Sequence, residues 1–339
     1  MRKLTCAALC LALLLTGCVL PQKQEKYTAT FLEIFDTVTT IVGFAPNQED
    51  FTATAHSLRD ALLEYHRLFD IYNAYEGMNN LKTVNDAAGQ NPVVVDRRII
   101  NLLLDCKEYY ELTDGRMNAA MGSVLVLWHE ARTDGINDPL NAYLPEQEEL
   151  MAAADHRDPA NIIIDEAAST VFLADPEMRL DVGAIAKGWS LQRVCETAPE
   201  GLLISVGGNV CATGPKDKNG TPWVIGVQNP EDSSQNLHTL YLTDGSVVTS
   251  GDYQRCYWVE GKLYHHIIDP DTLFPGTQWR AVTVVCEDSG LADALSTALF
   301  LLPMEEGLAL LERCNAQAMW VDQENARFYS PGFEALIRT

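Results

Sequence analysis

The order of periodicities restricts the fold of this chain most, because strand and helix signals come in blocks rather than in alternation. Residues 27–45 are rich in Thr, Val, Ile and Phe and read as strand, interrupted at Asp36-Thr37. Within 51–72, Leu58, Leu62, Tyr65 and Phe69 recur at helical spacing. Two more helices are expected over 97–112 and, after Asp114-Gly115, over 118–131, where Val124, Leu125 and Trp128 share a face. The Asn- and aromatic-rich segment 72–85 reads as a loop, and the acidic stretch 143–156 as a surface excursion. From Asn161 strands take over, with 162–164 and 170–173 pairing across a turn. Further strands follow at 202–205, 223–228, 237–242, 246–250, 256–259, 264–268 and 282–286. Helices over 291–302 and 305–314 and a strand pair near Trp320 and Phe328 close the chain. A regular βαβ alternation would build a parallel sheet, whereas blocks point to an α+β fold of mixed, largely antiparallel sheets flanked by helices.

Three stretches carry chemistry. Arg179-Leu180-Asp181-Val182-Gly183-Ala184-Ile185-Ala186-Lys187-Gly188-Trp189 reads as a strand end, a tight Gly turn and a helix running on through Leu191, Val194 and Cys195. Unpaired N–H groups and the positive dipole end at a helix start, with a lysine beside them, suit a phosphate. The stretch matches neither the Walker nor the dinucleotide fingerprint, and an ordinary strand-Gly-helix junction has the same pattern. On the expected helix after Val285, Asp293, Ser296 and Thr297 fall on one face at offsets of three and four, among Leu291, Ala294, Leu295, Ala298 and Leu299. They can meet one hard cation such as magnesium, or be a solvated Asp and a back-bonding Thr. In His265-His266-Ile267-Ile268-Asp269-Pro270 a histidine at a strand end suits proton transfer, phosphate contact or simply the bonding of a turn. Thr249-Ser250-Gly251-Asp252-Tyr253 and Gly207-Gly208-Asn209 are small-residue turns that let a ligand or another backbone approach.

At 339 residues the chain suffices for one large domain or two moderate ones. With 24 Lys and Arg against 47 Asp and Glu, its formal charge of −23 argues against nucleic acid and anionic membrane surfaces as partners. An anionic ligand then needs local cations or a metal. Arg2-Lys3 precede an apolar run over 4–15, too short for a membrane span and typical of a secretory signal. The run ends in Leu15-Thr16-Gly17-Cys18, which resembles a bacterial lipobox; a plain signal with an incidental cysteine leaves the same letters. The lipobox reading gives a signal peptide over 1–17, a Cys18 acylated with a chain such as palmitate, a tether over 18–26 and a folded domain over 27–339. The protein is then exported and lipid-anchored to the outer face of the cytoplasmic membrane or in the periplasm. Val19 follows Cys18, with no aspartate to signal inner-membrane retention. Cys106, Cys195, Cys211, Cys256, Cys286 and Cys314 remain for the folded part. None has CxxC spacing, which argues against zinc and redox motifs, and apolar settings such as Val284-Val285-Cys286 suit buried thiols.

Taken in order, these pieces resemble the ApbE family of exported FAD:protein FMN transferases, formerly described as thiamine-biosynthesis lipoproteins. The resemblance runs through Phe35-Asp36-Thr37, Tyr72-Asn73, Asp114-Gly115 to Trp128, Leu180 to Gly188, Ser205 to Asn209, Ser250 to Tyr253, His265 to Pro270 and Ala292 to Thr297. It implies a T-fold-like ApbE architecture. It also implies magnesium-dependent transfer of FMN from FAD, as substrate, to a Ser or Thr of an exported acceptor, such as a membrane redox complex subunit, with release of AMP. By the same resemblance Phe35, Tyr72, Arg116, Met117, Asn118, Asp181, Lys187 and Ile267 contact FAD. The Ala184 carbonyl, Asp293, Ser296 and Thr297 hold magnesium, and His266 or Asp181 takes the acceptor proton. The alternatives are a magnesium-dependent FAD pyrophosphatase with water as nucleophile and a non-catalytic flavin-binding lipoprotein. The chain departs from the family's usual Met-Gly-Thr at Phe35-Asp36-Thr37, from Phe-Asp at Met117-Asn118, and from Gly at Leu273.

Overall fold

A computed structural model describes residues 24–338. The expected signal over 1–17, Cys18 and most of the expected tether lie outside the described residues.

The chain opens with a hairpin of β1 (Glu25–Ile34) and β2 (Thr37–Ala45), turned by Phe35 and Asp36 at φ 51 and 52. Helix α1 (Gln48–Phe69) starts at Asn47, whose side chain accepts from the Asp50 N–H. Segment 72–85 is not all loop: Asn80 and Thr83 form a capping box that starts the short α2 (Leu81–Asp86). Strand β3 (Val93–Val94) and helix α3 (Arg97–Leu112) follow. Helix α4 (Gly122–Asn137) starts later than its expected 118, because Asn118 folds its own turn: its Oδ1 accepts from the Ala120 N–H and its carbonyl from Met121. The acidic excursion contains α5 (Gln147–Ala154), docked by the buried Leu150.

Strands β4 (Ile162–Asp165) and β5 (Thr170–Leu173) pair as expected. Residues 179–182 are not a strand end. Their backbone bonds go to a turn instead, Asp181 N–H to the Ala119 carbonyl and Gly122 N–H to that of Arg179. Helix α6 (Ala186–Cys195) then leads into β6 (Leu202–Val206), β7 (Asn209–Ala212), β8 (Trp223–Gln228), β9 (Asn236–Leu242) and β10 (Gly245–Gly251). The hairpin of β11 (Tyr257–Val259) and β12 (Lys262–Tyr264) stops short of the expected strand 264–268. There the His265 ring donates to the Gly276 carbonyl and accepts from the Ile267 N–H, bending the chain. The last elements are β13 (Trp279–Cys286), α7 (Ser289–Leu301), α8 (Met304–Cys314), β14 (Gln317–Asp322) and β15 (Arg327–Tyr329).

Eight strands form one sheet in the order β1-β2-β6-β7-β10-β13-β14-β15, and every pairing in it is antiparallel. Helices α1, α6 and α7 cover one face through Leu58, Leu62, Leu191, Leu295 and Leu299. Hairpin β8–β9 and Phe333 cover the other, packing Trp223, Ile225 and Leu240 on Val247 and Val285. Burial on both sides explains why β13 is apolar almost throughout rather than alternating. The three-stranded sheet β3-β5-β4 with α2 and α3 builds a second core, continuous with Leu180, Val182 and Trp189. Cys106, Cys211 and Cys286 are buried thiols, as expected, and all six cysteines of the folded part are free. Among the described residues no helix is long and apolar enough to cross a membrane.

Candidate active site

Where the two cores meet, the turns at 36–37, 207–209 and 266–270, segments 116–118 and 181–187, and α7 converge on a cavity of about 370 Å³. Asp181, Ala184, Lys187, Asp293 and Thr297 line it, and so do Tyr72, Arg116, Met117, Asn118, His266 and Ile267. Two of the expected residues do not line it. Phe35 borders an adjoining pocket that shares Tyr72, Asp181, Lys187 and Arg255 with the first. Ser296 sits behind the wall, its hydroxyl 2.8 Å from that of Ser250 and donating to the Asp293 carbonyl.

Glycine 188 brings α6 onto α7. A Cβ there would stand 2.3 Å from the Ser289 carbonyl oxygen and 2.5 Å from the Asp293 Cβ, so only glycine allows this approach. Through it the Gly188 N–H donates to Asp293 Oδ2 at 2.8 Å, and Lys187 Nζ lies 3.5 Å from the same oxygen and donates to the Gly183 carbonyl. The Gly turn, the lysine and the α7 carboxylate are thus one unit.

Across the cavity the His266 Nδ1 is buried without a hydrogen-bond partner. Burial, and after it the charges of Arg255, His265, Arg132 and Lys187, push this imidazole down to about 3, so it is neutral near pH 7. Asp181 is shifted the other way: burial raises its carboxyl, against the Gly183 N–H and the Arg255 charge. Asn209 adds a buried amide nitrogen without a hydrogen-bond partner, beside Gly188.

Residues 35–320 match the ApbE family. The chain belongs to the ApbE family. Its relatives include the FAD:protein FMN transferase of Klebsiella pneumoniae (strain 342), 33% identical over 260 residues that cover 73% of this chain and 78% of that one. That of Treponema pallidum (strain Nichols) is 34% identical over 249 residues, covering 68% and 67%. The ApbE protein of Thermotoga maritima has the same fold, with a TM-score of 0.81 at 29% identity over 93% of this chain and all of that one. The flavin transferase ApbE of Vibrio cholerae is alike in fold, with a TM-score of 0.75 at 22% identity over 93% of this chain and 100% of that one.

In this ApbE chain the donors around Asp293 suit magnesium. Asp293 brings a carboxylate, Thr297 a hydroxyl and Ala184 its backbone to the cavity, an oxygen-only set, while no group of three or more His, Cys, Asp and Glu that could hold a metal gathers among the described residues. Such an oxygen-only set is of the kind magnesium takes together with waters and substrate phosphates.

His129, Arg132 and Arg255 also line the cavity and were not singled out from the sequence. Arg132 on α4 donates to His129 Nδ1 at 2.9 Å, and the His129 ring stacks on Tyr72 with centroids 5.0 Å apart. Arg255 donates to the Phe35 carbonyl at 3.3 Å. The signal for Arg132 was its place four residues after Trp128, on the face the helix turns inward. Arg255 follows the singled-out turn 249–253 by two positions.

Proposed function

We propose that this ApbE-family chain is a FAD:protein FMN transferase that moves FMN from FAD to a Ser or Thr hydroxyl of an exported acceptor protein, releasing AMP. The chain is a transferase enzyme, and the observation that carries the finer reading is the meeting of Lys187 and Asp293 in a cavity that also holds Asp181 and His266. Asp293, Thr297 and the Ala184 carbonyl would hold magnesium, which when bound supplies charge neutralisation at the diphosphate, while Ser296, hydrogen-bonded to Ser250 and the Asp293 carbonyl behind the wall, supports them from outside the cavity.

The chain's own residues do the rest. Lys187 brings a positive charge to the phosphates, and Tyr72, Met117 and Ile267 offer surface for the rings. The acceptor hydroxyl oxygen attacks the FMN phosphorus while the bond to the AMP phosphate breaks, and AMP leaves with that electron pair. The hydroxyl proton passes to His266 or Asp181. His266 is neutral near pH 7, with a ring nitrogen free to accept; a doubly charged diphosphate offsets the cationic part of its shift, which is second to that of burial. The exported, Cys18-anchored location and a membrane redox complex subunit as acceptor belong to the same proposal.

The test is partition of product. With FAD, magnesium and an acceptor domain, covalent flavin fluorescence on the acceptor together with free AMP is expected. FMN and AMP without labelled acceptor would make the protein a pyrophosphatase, and neither product would rule out both activities.

A further inference from the structure

Three arginines line the cavity, and only one is neutralised. Arg116 is held by Asp269 at 3.3 Å and Asp271 at 2.7 Å. Arg132 and Arg255 have no carboxylate within ion-pair distance among the described residues; their hydrogen bonds go to His129 and the Phe35 carbonyl. A guanidinium has five N–H donors, so most of theirs remain free. The two arise from separate elements, α4 and the segment after β10, and the second is held at φ 44, a left-handed backbone that an arginine keeps only where its surroundings fix it. Arg132 feels its neighbour: burial, then the Arg255 charge, lowers the affinity of Arg132 for its proton. Asp181 and Asp36 line the same cavity, and Asp181 feels both guanidinium charges, yet neither carboxylate comes within ion-pair distance of Arg132 or Arg255. Such an arrangement calls for an anion brought by the ligand.

We propose that Arg132 and Arg255 form a clamp for the diphosphate of FAD, distinct from the pole of Lys187 and Asp293. The clamp rests on the FAD reading above and deepens it. The Tyr72 and His129 rings beside Arg132 give a flat apolar surface next to the charge, as a ligand of rings joined by phosphates requires. In transfer the bond between the two phosphates breaks and negative charge collects on the departing AMP, where fixed guanidinium donors stabilise it.

The test is equilibrium binding by calorimetry in EDTA, so that no metal takes part, with wild type, Arg132→Gln, Arg255→Gln and the double variant. FAD is expected to bind about ten-fold more weakly to each single variant, the size of one charged hydrogen bond, and more weakly still to the double. Riboflavin and adenosine should bind all four alike. Between FMN and AMP, the one that weakens names the phosphate held. Unchanged FAD affinity in both single variants, or an equal loss for riboflavin and adenosine, overturns the clamp. If wild type binds FAD and labels acceptor while the variants bind as wild type, the clamp alone falls; if wild type binds no FAD, the FAD reading falls with it. Should a Gln variant lose its thermal transition, Arg132→Lys and Arg255→Lys replace it. They keep the charge without the two-pronged fork, and a several-fold loss for FAD with none for riboflavin is then expected; equal loss for both overturns the clamp.

Discussion

Asp36 and Leu273 occupy left-handed backbone, at φ 52 and 63, a conformation that glycine adopts without steric cost. An L side chain there costs roughly 1–2 kcal/mol, less for Asp, whose short polar group bonds locally. Asp36 is exposed, so Asp36→Gly loses no packing, and its strain relief is set against the ~0.5–1 kcal/mol by which glycine favours the unfolded chain. Leu273 is buried beside Trp128, and emptying that site forfeits about 1.5–3 kcal/mol of burial. Urea unfolding should therefore show Asp36→Gly within about 1 kcal/mol of wild type and Leu273→Gly clearly destabilised; the reverse order would contradict this weighing. His266 gives a second prediction at this scale. With its folded value near 3 and an ordinary value near 6.5, the folded state binds fewer protons between them. Its contribution to stability is therefore complete above 6.5 and is lost as pH falls toward 3. The acid limb of kcat/KM, which reports the free enzyme, should accordingly lie below 6.5; a limb at or above that value would remove His266 as the base.

The α6–α7 crossing is the element on which the site depends. Gly188→Ala would drive a methyl into the Ser289 carbonyl and Asp293 and force the helices apart. A loss of about 3 kcal/mol in urea unfolding and of magnesium-dependent turnover is expected; wild-type behaviour in both would show that the helices are not locked. Asp293→Ala should abolish metal-dependent turnover, and by leaving the Gly188 N–H unpaired should cost about 1–3 kcal/mol of stability. Unchanged turnover would refute the magnesium assignment. Helix α3 was legible to the residue because its spacing is local, and so was the face of α7 that bears Asp293 and Thr297. The meeting of α6 with α7 was not, since glycine 188 marks close approach without naming the partner. Residues 179–182 look like strand because Leu180 and Val182 are buried, but they bond to the turn at 119–122, which no periodicity encodes. Arg132 was hidden for a related reason: a charge on an inward helix face signifies only once the cavity it faces is known.

Across the whole molecule, the antiparallel sheet holds its helices on one face and a hairpin on the other, and the cavity opens where this layer meets the α2–α3 core. Block order along the chain sufficed for that α+β architecture, because strand runs uninterrupted by helices close most simply as hairpins. A formal charge of −23 makes the surface at large repel nucleotides, so binding of FAD falls to the few cations gathered in the cavity. The most direct measurement is the intact mass of an acceptor domain after incubation with the protein, FAD and magnesium. Transferase chemistry predicts a gain equal to one FMN less one water, placed on a Ser or Thr by fragmentation and matched by one AMP, and no gain with the Asp293→Ala variant. An acceptor of unchanged mass, while wild-type protein converts FAD to FMN and AMP, would contradict it.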